Sequence, residues 1–225
     1  MRVVGLTPRR ADGGRRDVVA AWIRNRWETE HPEWPLIEGH HNDGPFNRSE
    51  AINRAAEAAG EWDVAIITDA DSFVGPDQLD QAVDLAARTG QITFAYDSFR
   101  YLNRPGSKQI MAGYLGDWFP FVEWTLTGTC SSMVVVPRSL WDQAGGFDPG
   151  FRGWGMEDVG FSLACQALGG GMQRVPGTVW HLFHAPSTEN HHESPYYQAN
   201  VDRMNRYRDC DYDPEKMAAL LSELR

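Results

Sequence analysis

The run Val64-Ala65-Ile66-Ile67 breaks off, after Thr68, into two carboxylates one residue apart, Asp69 and Asp71. A short β-branched run of this kind reads as a strand buried on both faces, in the middle of an α/β sheet. Open sheets of that class bind ligands at the carboxyl ends of their strands. Two acids there, separated by the small Ala70, suit a divalent cation held on oxygen ligands beside phosphate groups. Alone, Asp-x-Asp is also a common turn, in which Asp satisfies backbone N–H groups. Two later features add to it: the acidic block Gly153-Trp154-Gly155-Met156-Glu157-Asp158 and the histidines of Trp180-His181-Leu182-Phe183-His184.

Around this strand, helical and strand periods alternate. Val3 to Leu6 reads as a first strand running into the loop Thr7-Pro8-Arg9-Arg10, and Arg15 to Glu30 as a helix with Val19, Trp22, Ile23 and Trp27 on one face. Pro35 to Ile37 is a short strand, with a polar loop from Gly39 to Pro45. Asn47 and Glu50 have capping-box spacing and open a helix whose apolar face is Ile52, Ala55, Ala56 and Ala59. Pro76 suits the first position of a helix with Leu79, Ala82, Val83 and Ala86 as its stripe, and Gly90 suits its end. Ile92 to Ala95, Met133 to Val136 and Thr178 to Leu182 read as strands. Asp158 to Leu168 reads as a helix with Val159, Leu163 and Ala167 on one side. The tail from Tyr196 is helical, with Met217, Leu220, Leu221 and Leu224 in register. Ser98 to Thr129 carries little period and reads as loops. The pattern predicts an α/β fold with a mostly parallel, doubly wound sheet. At 225 residues without a linker or repeat, the expectation is a single domain, residues 1–225.

Formal net charge is −10, which opposes non-specific binding to nucleic acid. No stretch approaches the length of a membrane span. Cys130, Cys165 and Cys210 cannot all pair and show no Cys-x-x-Cys spacing, so the expected setting is reducing and cytoplasmic. The 9 Trp exceed what a plain core needs; such rings fill cores or stack on sugars and bases.

Glu157 and Asp158 open a helix, where acids complement the macrodipole. Gly150, Gly153 and Gly155 around Trp154 permit unusual backbone angles, and a carboxylate fixed there is placed to take a proton from an attacking hydroxyl. On an extended strand His181 and His184 face opposite ways, so at most one is expected to bind metal, in a set dominated by oxygen. His40, His41, His191 and His192 read as solvated. Arg9 or Arg10 is placed to clamp a pyrophosphate or border a base, and Phe46 with Arg48 reads as a platform for a nucleobase.

These motifs, in this order, resemble the nucleotide-sugar glycosyltransferases of the GT-A fold, close to glycosyltransferase family 2 and the β-1,4-galactosyltransferases. Pro8-Arg9-Arg10 is similar to the Pro-x-Arg loop of that family and Phe46-Asn47-Arg48 to its Phe-Asn-Arg segment. Asp69-Ala70-Asp71 matches the Asp-x-Asp motif; Gly145-Gly146-Phe147-Asp148 and Gly153 to Asp158 match the Gly-Gly-Phe-Asp and Gly-Trp-Gly-x-Glu-Asp blocks. The resemblance spans roughly Val3 to His184 and leaves Tyr101 to Thr127 without a counterpart. It implies a Rossmann-like GT-A domain with a nucleotide-sugar half, about 1–97, and an acceptor half with C-terminal helices, about 98–225. It further implies a UDP-sugar donor bound by Thr7, Pro8, Arg9, Arg10, Phe46, Arg48, Asp69 and Trp154. The metal, Mn²⁺ or Mg²⁺, would be held by Asp71 and His181, with His184 in reserve and Asp69 on the ribose or the metal's water shell. Asp158 would be the general base of an inverting transfer, with Glu157 orienting the acceptor. The acceptor stays open: a glycan, a protein, a small molecule or a modified nucleobase in DNA. Two other readings compete: a non-catalytic nucleotide- or sugar-binding module, and a GT-A nucleotidyltransferase, whose Gly-rich, Lys-bearing first loop is missing from Thr7 to Arg10.

Overall fold

A computed structural model describes residues 1–185 and 193–224. In chain order the elements are β1 Val3–Arg9, α1 Arg15–Glu30, β2 Leu36–His40, α2 Arg48–Ala58, β3 Val64–Ile67, β4 Ser72–Phe73, α3 Pro76–Thr89 and β5 Ile92–Phe94. There follow β6 Ser98–Leu102, α4 Arg104–Met111, β7 Val122–Thr127, β8 Val134–Pro137, α5 Arg138–Ala144, α6 Glu157–Gly169, β9 Met172–Arg174, β10 Thr178–His181, α7 Tyr197–Arg208 and α8 Pro214–Leu224.

The larger sheet has the order β2-β1-β3-β8-β5-β9. Its pairings are parallel except at β8, which runs antiparallel to both β3 and β5. The doubly wound expectation therefore holds, with one reversed strand. β3 and β8 are buried along their whole length, as their unbroken β-branched runs require. Asn47 caps α2 by accepting from the Glu50 N–H at 3.0 Å, and Pro76 and a left-handed Gly90 bound α3. Gly39 lets α2 lie directly on β2, since a Cβ there would fall 1.7 Å from the Ala51 carbonyl oxygen.

Three local expectations change. β1 continues to Arg9 and β2 to His40, so Thr7, Pro8 and Arg9 are strand residues paired in parallel with β2. The buried face of α6 is Gly160, Phe161, Ala164, Cys165 and, as expected, Ala167, with Val159 and Leu163 only half-buried. Ser98 to Thr129 is not loop: β6, α4 and β7 occupy most of it, and they build a second sheet in the order β4-β10-β6-β7. The Asn103 cap on α4, accepting from the Gly106 N–H at 2.8 Å, was the local signal for that helix. Cys130, Cys165 and Cys210 are free thiols. Among the described residues no helix is long and apolar enough to cross a membrane.

Candidate active site

The short β4 determines where Asp71 points. β4 pairs antiparallel with β10, placing His181 opposite Ser72, and the Leu182 N–H donates to the Asp71 carbonyl at 2.8 Å. Beyond His181 the chain leaves the strand. The Phe183 N–H donates to Ser107 Oγ at 2.8 Å, and Arg15 and Arg16 donate to the Phe183 and Ala185 carbonyls. The alternation expected of an extended strand thus stops at His181, and His184 swings back to the same carboxylate. Asp71 lies 3.4 Å from His181 Nε2 and 2.9 Å from His184 Nε2, and the three ligand atoms all fall within 4.8 Å of one another. Burial pushes the Asp71 carboxyl up, but His181 and His184 outweigh it and hold it well below the usual carboxylate range. Burial pushes the His181 imidazole down; His184, also opposed by burial, is pushed up by its hydrogen bond to Asp71. The cluster offers one carboxylate and two imidazoles, not the oxygen-dominated set expected.

Asp69 stands outside that cluster. Arg48, the first residue of α2, donates to Asp69 Oδ1 from Nε at 3.1 Å and from Nη2 at 2.8 Å. The same guanidinium donates to Asp158 Oδ1 and lies 3.5 Å from Glu157 Oε1. One cation therefore joins Asp69, after β3, to the two acids opening α6, and its fork geometry suits the task. The Asp69 N–H donates to Ser132 Oγ at 3.0 Å, fixing the strand end. Burial raises Asp158 against the opposing charge of Arg48. Burial, with Asp158 beside it, pushes Glu157 up to about 7. Removing Arg48 leaves buried carboxylates uncompensated, so Arg48→Met should cost about 3–5 kcal/mol of stability. Urea unfolding should show a larger loss at pH 8 than at pH 5, where Glu157, raised to about 7, holds its proton. A loss below about 1 kcal/mol at both pH values would mean the network is solvated.

The loop before α6 is held in an uncommon shape. Gly153, Gly155 and Met156 all have positive φ, at 65°, 101° and 77°. The buried Asn200 of α7 accepts from the Arg152 N–H at 3.1 Å and donates to the carbonyls of Arg152 and Trp154 at 2.9 and 3.3 Å. Asp148, the last residue of Gly-Gly-Phe-Asp, is gripped by Arg203 and Tyr207 of the same helix. The Trp154 ring lies parallel to Tyr197 with centroids 5.7 Å apart. Asn200→Ala should leave the fold intact by circular dichroism but raise the exchange rate of the 152–158 amides. Unchanged exchange would remove α7 as the brace.

Of the expected nucleotide residues, Thr7, Pro8, Arg9 and Arg10 sit at the end of β1, with Phe46 in the loop after β2, whereas Arg48, Asp69 and Trp154 stand at α2, after β3 and before α6. Thr7 is buried, its hydroxyl without a partner among the described residues. Arg9 is taken up by Asp17 at 3.0 Å and Glu38 at 2.9 Å. Arg10 donates to the His41 and Gly44 carbonyls and lies over Phe46, 5.3 Å from the ring centre. His41 is buried, not solvated; its Nδ1 accepts from the Asn47 N–H at 3.3 Å. His40 is exposed, and His191 and His192 lie outside the described residues. One residue escaped the sequence reading altogether. The Tyr101 ring on β6 lies 4.5 Å from that of His181, tilted by 40°, and burial together with Asp69, Asp71 and Asp158 pushes its phenol up to about 12. It therefore lies in the field of both acid clusters at once.

A family model described as the N-terminal domain of galactosyltransferase matches residues 122–189. No curated protein sequence matches the chain. Among solved structures, GalNAc-T7 with UDP, GalNAc and Mn²⁺ superposes with a TM-score of 0.55 at 13% identity, over 99% of this chain and 54% of that one. Drosophila β1,4-galactosyltransferase 7 in complex with xylobiose gives 0.48 at 15% identity, over 77% and 64%. The chain thus spans between half and two thirds of the length of these structures. Together with the β-sheet order above, the superposition on GalNAc-T7 gives the conclusion: this chain has the GT-A fold and resembles the nucleotide-sugar glycosyltransferases built on it.

Proposed function

We propose that the chain is a metal-dependent glycosyltransferase that moves a sugar from a UDP-sugar to an acceptor hydroxyl with inversion, using Asp158 as general base. The observation that carries this reading is Arg48, which ties the acid after β3 to the acids opening α6, beside the Asp71–His181–His184 cluster. Both halves of the chain, about 1–97 and about 98–225, supply these groups.

The donor set of the cluster fits a divalent cation, and two imidazoles favour Mn²⁺ over the harder Mg²⁺. Asp71, His181 and His184 would hold it; when bound it would neutralise charge on the departing diphosphate. Support for that donor comes from the fold shared with a protein solved with UDP and Mn²⁺. Asp158 takes the proton from the acceptor hydroxyl as that oxygen bonds the anomeric carbon and the carbon–diphosphate bond breaks. Glu157, pushed up to about 7, keeps its proton at mildly acid pH and can donate to the acceptor. Arg48 holds Asp158 charged and aimed. Attack from the face opposite the diphosphate inverts the anomeric centre. Arg10 and Phe46 border the base, and Trp154 lies against a sugar.

The test is UDP release across a panel of UDP-sugars, with Mn²⁺ and with EDTA. Release that requires metal and prefers one sugar is the expected result. Metal-dependent UDP binding without any release would make the chain a binding module, and an α-linked product from an α-linked donor would overturn inversion.

A further inference from the structure

The second sheet carries an apolar ledge that the proposed reaction does not yet use. β7 is its outer strand and pairs antiparallel with β6, so Trp124 stands opposite Tyr101 and Leu126 opposite Phe99. Directly opposed residues share a face. The rings run as a line from the edge of the sheet to the metal cluster: Trp124 to Tyr101 at 4.9 Å, Tyr101 to His181 at 4.5 Å, His181 to His184 at 5.0 Å. At the outer end Trp124 is 50% and Leu126 43% exposed, although both are large and apolar. The other face of the same strands is already occupied, with Arg100 lying over Phe119 and Trp180.

We propose that Trp124 and Leu126, continuing from Tyr101, bind an apolar aglycone of the acceptor, so that the acceptor is an alkyl or aryl glycoside instead of a free oligosaccharide. The inference rests on the transferase reading. The chemistry of the ledge decides between those classes. A site for further sugar rings pairs each aromatic platform with polar side chains for the hydroxyl groups, because hydroxyls left unpaired on desolvation cost affinity. In register with this face β7 adds Trp124 and Leu126. Thr125 and Thr127 stand opposite Arg100 and Ser98 in the alternate register, and the exposed Glu123 falls at the irregularity between the Trp124 and Val122 pairs, outside the register. An alkyl or aryl group asks for no such partners and gains from leaving water. The ring line ends at His181 and His184, and Tyr101 within it lies in the field of Asp158 as well as of Asp71, so a sugar carried beyond the aglycone would reach toward Asp158.

The test compares methyl and octyl β-glycosides of xylose, glucose and N-acetylglucosamine, each below its micelle threshold, by calorimetry on the whole protein with Mn²⁺ and UDP. The octyl member of a pair should bind about tenfold more tightly, as burial of about two methylenes gives. Trp124→Ala, a change at an exposed position, should bring the two affinities together while metal-dependent UDP release stays at the wild-type level; Leu126→Ala should act in the same direction. Equal affinities in the wild-type protein would overturn the ledge, as would an octyl preference that survives Trp124→Ala. Tighter binding of an unmodified trisaccharide than of any octyl glycoside would assign the face to glycan. Wild-type protein that releases no UDP would overturn the transferase reading instead, and the paired affinities would still report on the ledge.

Discussion

Asp158→Asn should lower sugar transfer by about 10²–10⁴-fold, the range spanned by a positioned general base, while leaving UDP affinity unchanged. The amide keeps the shape of the side chain and cannot take the proton. Arg48 retains Asp69 and Glu157 as partners, so the fold should survive. The pH profile gives a second readout. Burial raises the Asp158 carboxyl, so the wild-type rate should climb with pH as this base gives up its proton. The variant should lose that limb. Stability should move the opposite way. Glu157 binds its proton more tightly in the folded chain than at its ordinary value of 4.5, so its contribution is present below that value. The contribution is lost as pH rises through about 7, and Glu157→Gln should flatten the slope. A large loss of UDP binding in Asp158→Asn would move this residue from proton transfer to nucleotide binding.

Asp71→Ala should abolish metal-dependent turnover. It removes the carboxylate common to both histidines and leaves two imidazoles, whose affinity for Mn²⁺ without the acid is poor. Thermal melting with and without Mn²⁺ separates this from unfolding: the wild type should gain stability with metal by mass action, and the variant should not. His181→Ala and His184→Ala should each weaken that shift, because both rings reach Asp71. A near-normal rate in Asp71→Ala would sink the metal assignment. A shift lost in one histidine variant alone would show that a single imidazole serves.

Local patterns carried far in this chain because the helices obey local rules. α1 runs over Arg15–Glu30 as its period indicates, and α3 is bounded by Pro76 and Gly90, whose fixed φ and left-handed tolerance act without tertiary help. The second sheet is only partly hidden. β7 alternates Val122, Trp124 and Leu126 with Glu123, Thr125 and Thr127, a strand period that reading this stretch as loops passes over, while its exposure and its partner β6 are tertiary facts. The same limit applies to the site. Asp69, Asp71, Glu157, Asp158, His181 and His184 stood out by residue type, yet their partnerships did not. Strand alternation argued that His181 and His184 part company; the β4–β10 register and the turn after His181 bring both to Asp71. Arg48 read as a nucleobase platform, whereas it bridges acids 21 and 110 residues away. Tyr101 matched no motif, and its position beside His181 follows from parallel pairing of β6 with β10. By itself the sequence determined which chemical groups this protein owns and that an α/β sheet would display them at its strand ends. That both histidines meet Asp71 and that Arg48 joins Asp69 to Asp158 was decided by the tertiary structure alone, since those contacts depend on distances across the chain that no local period encodes.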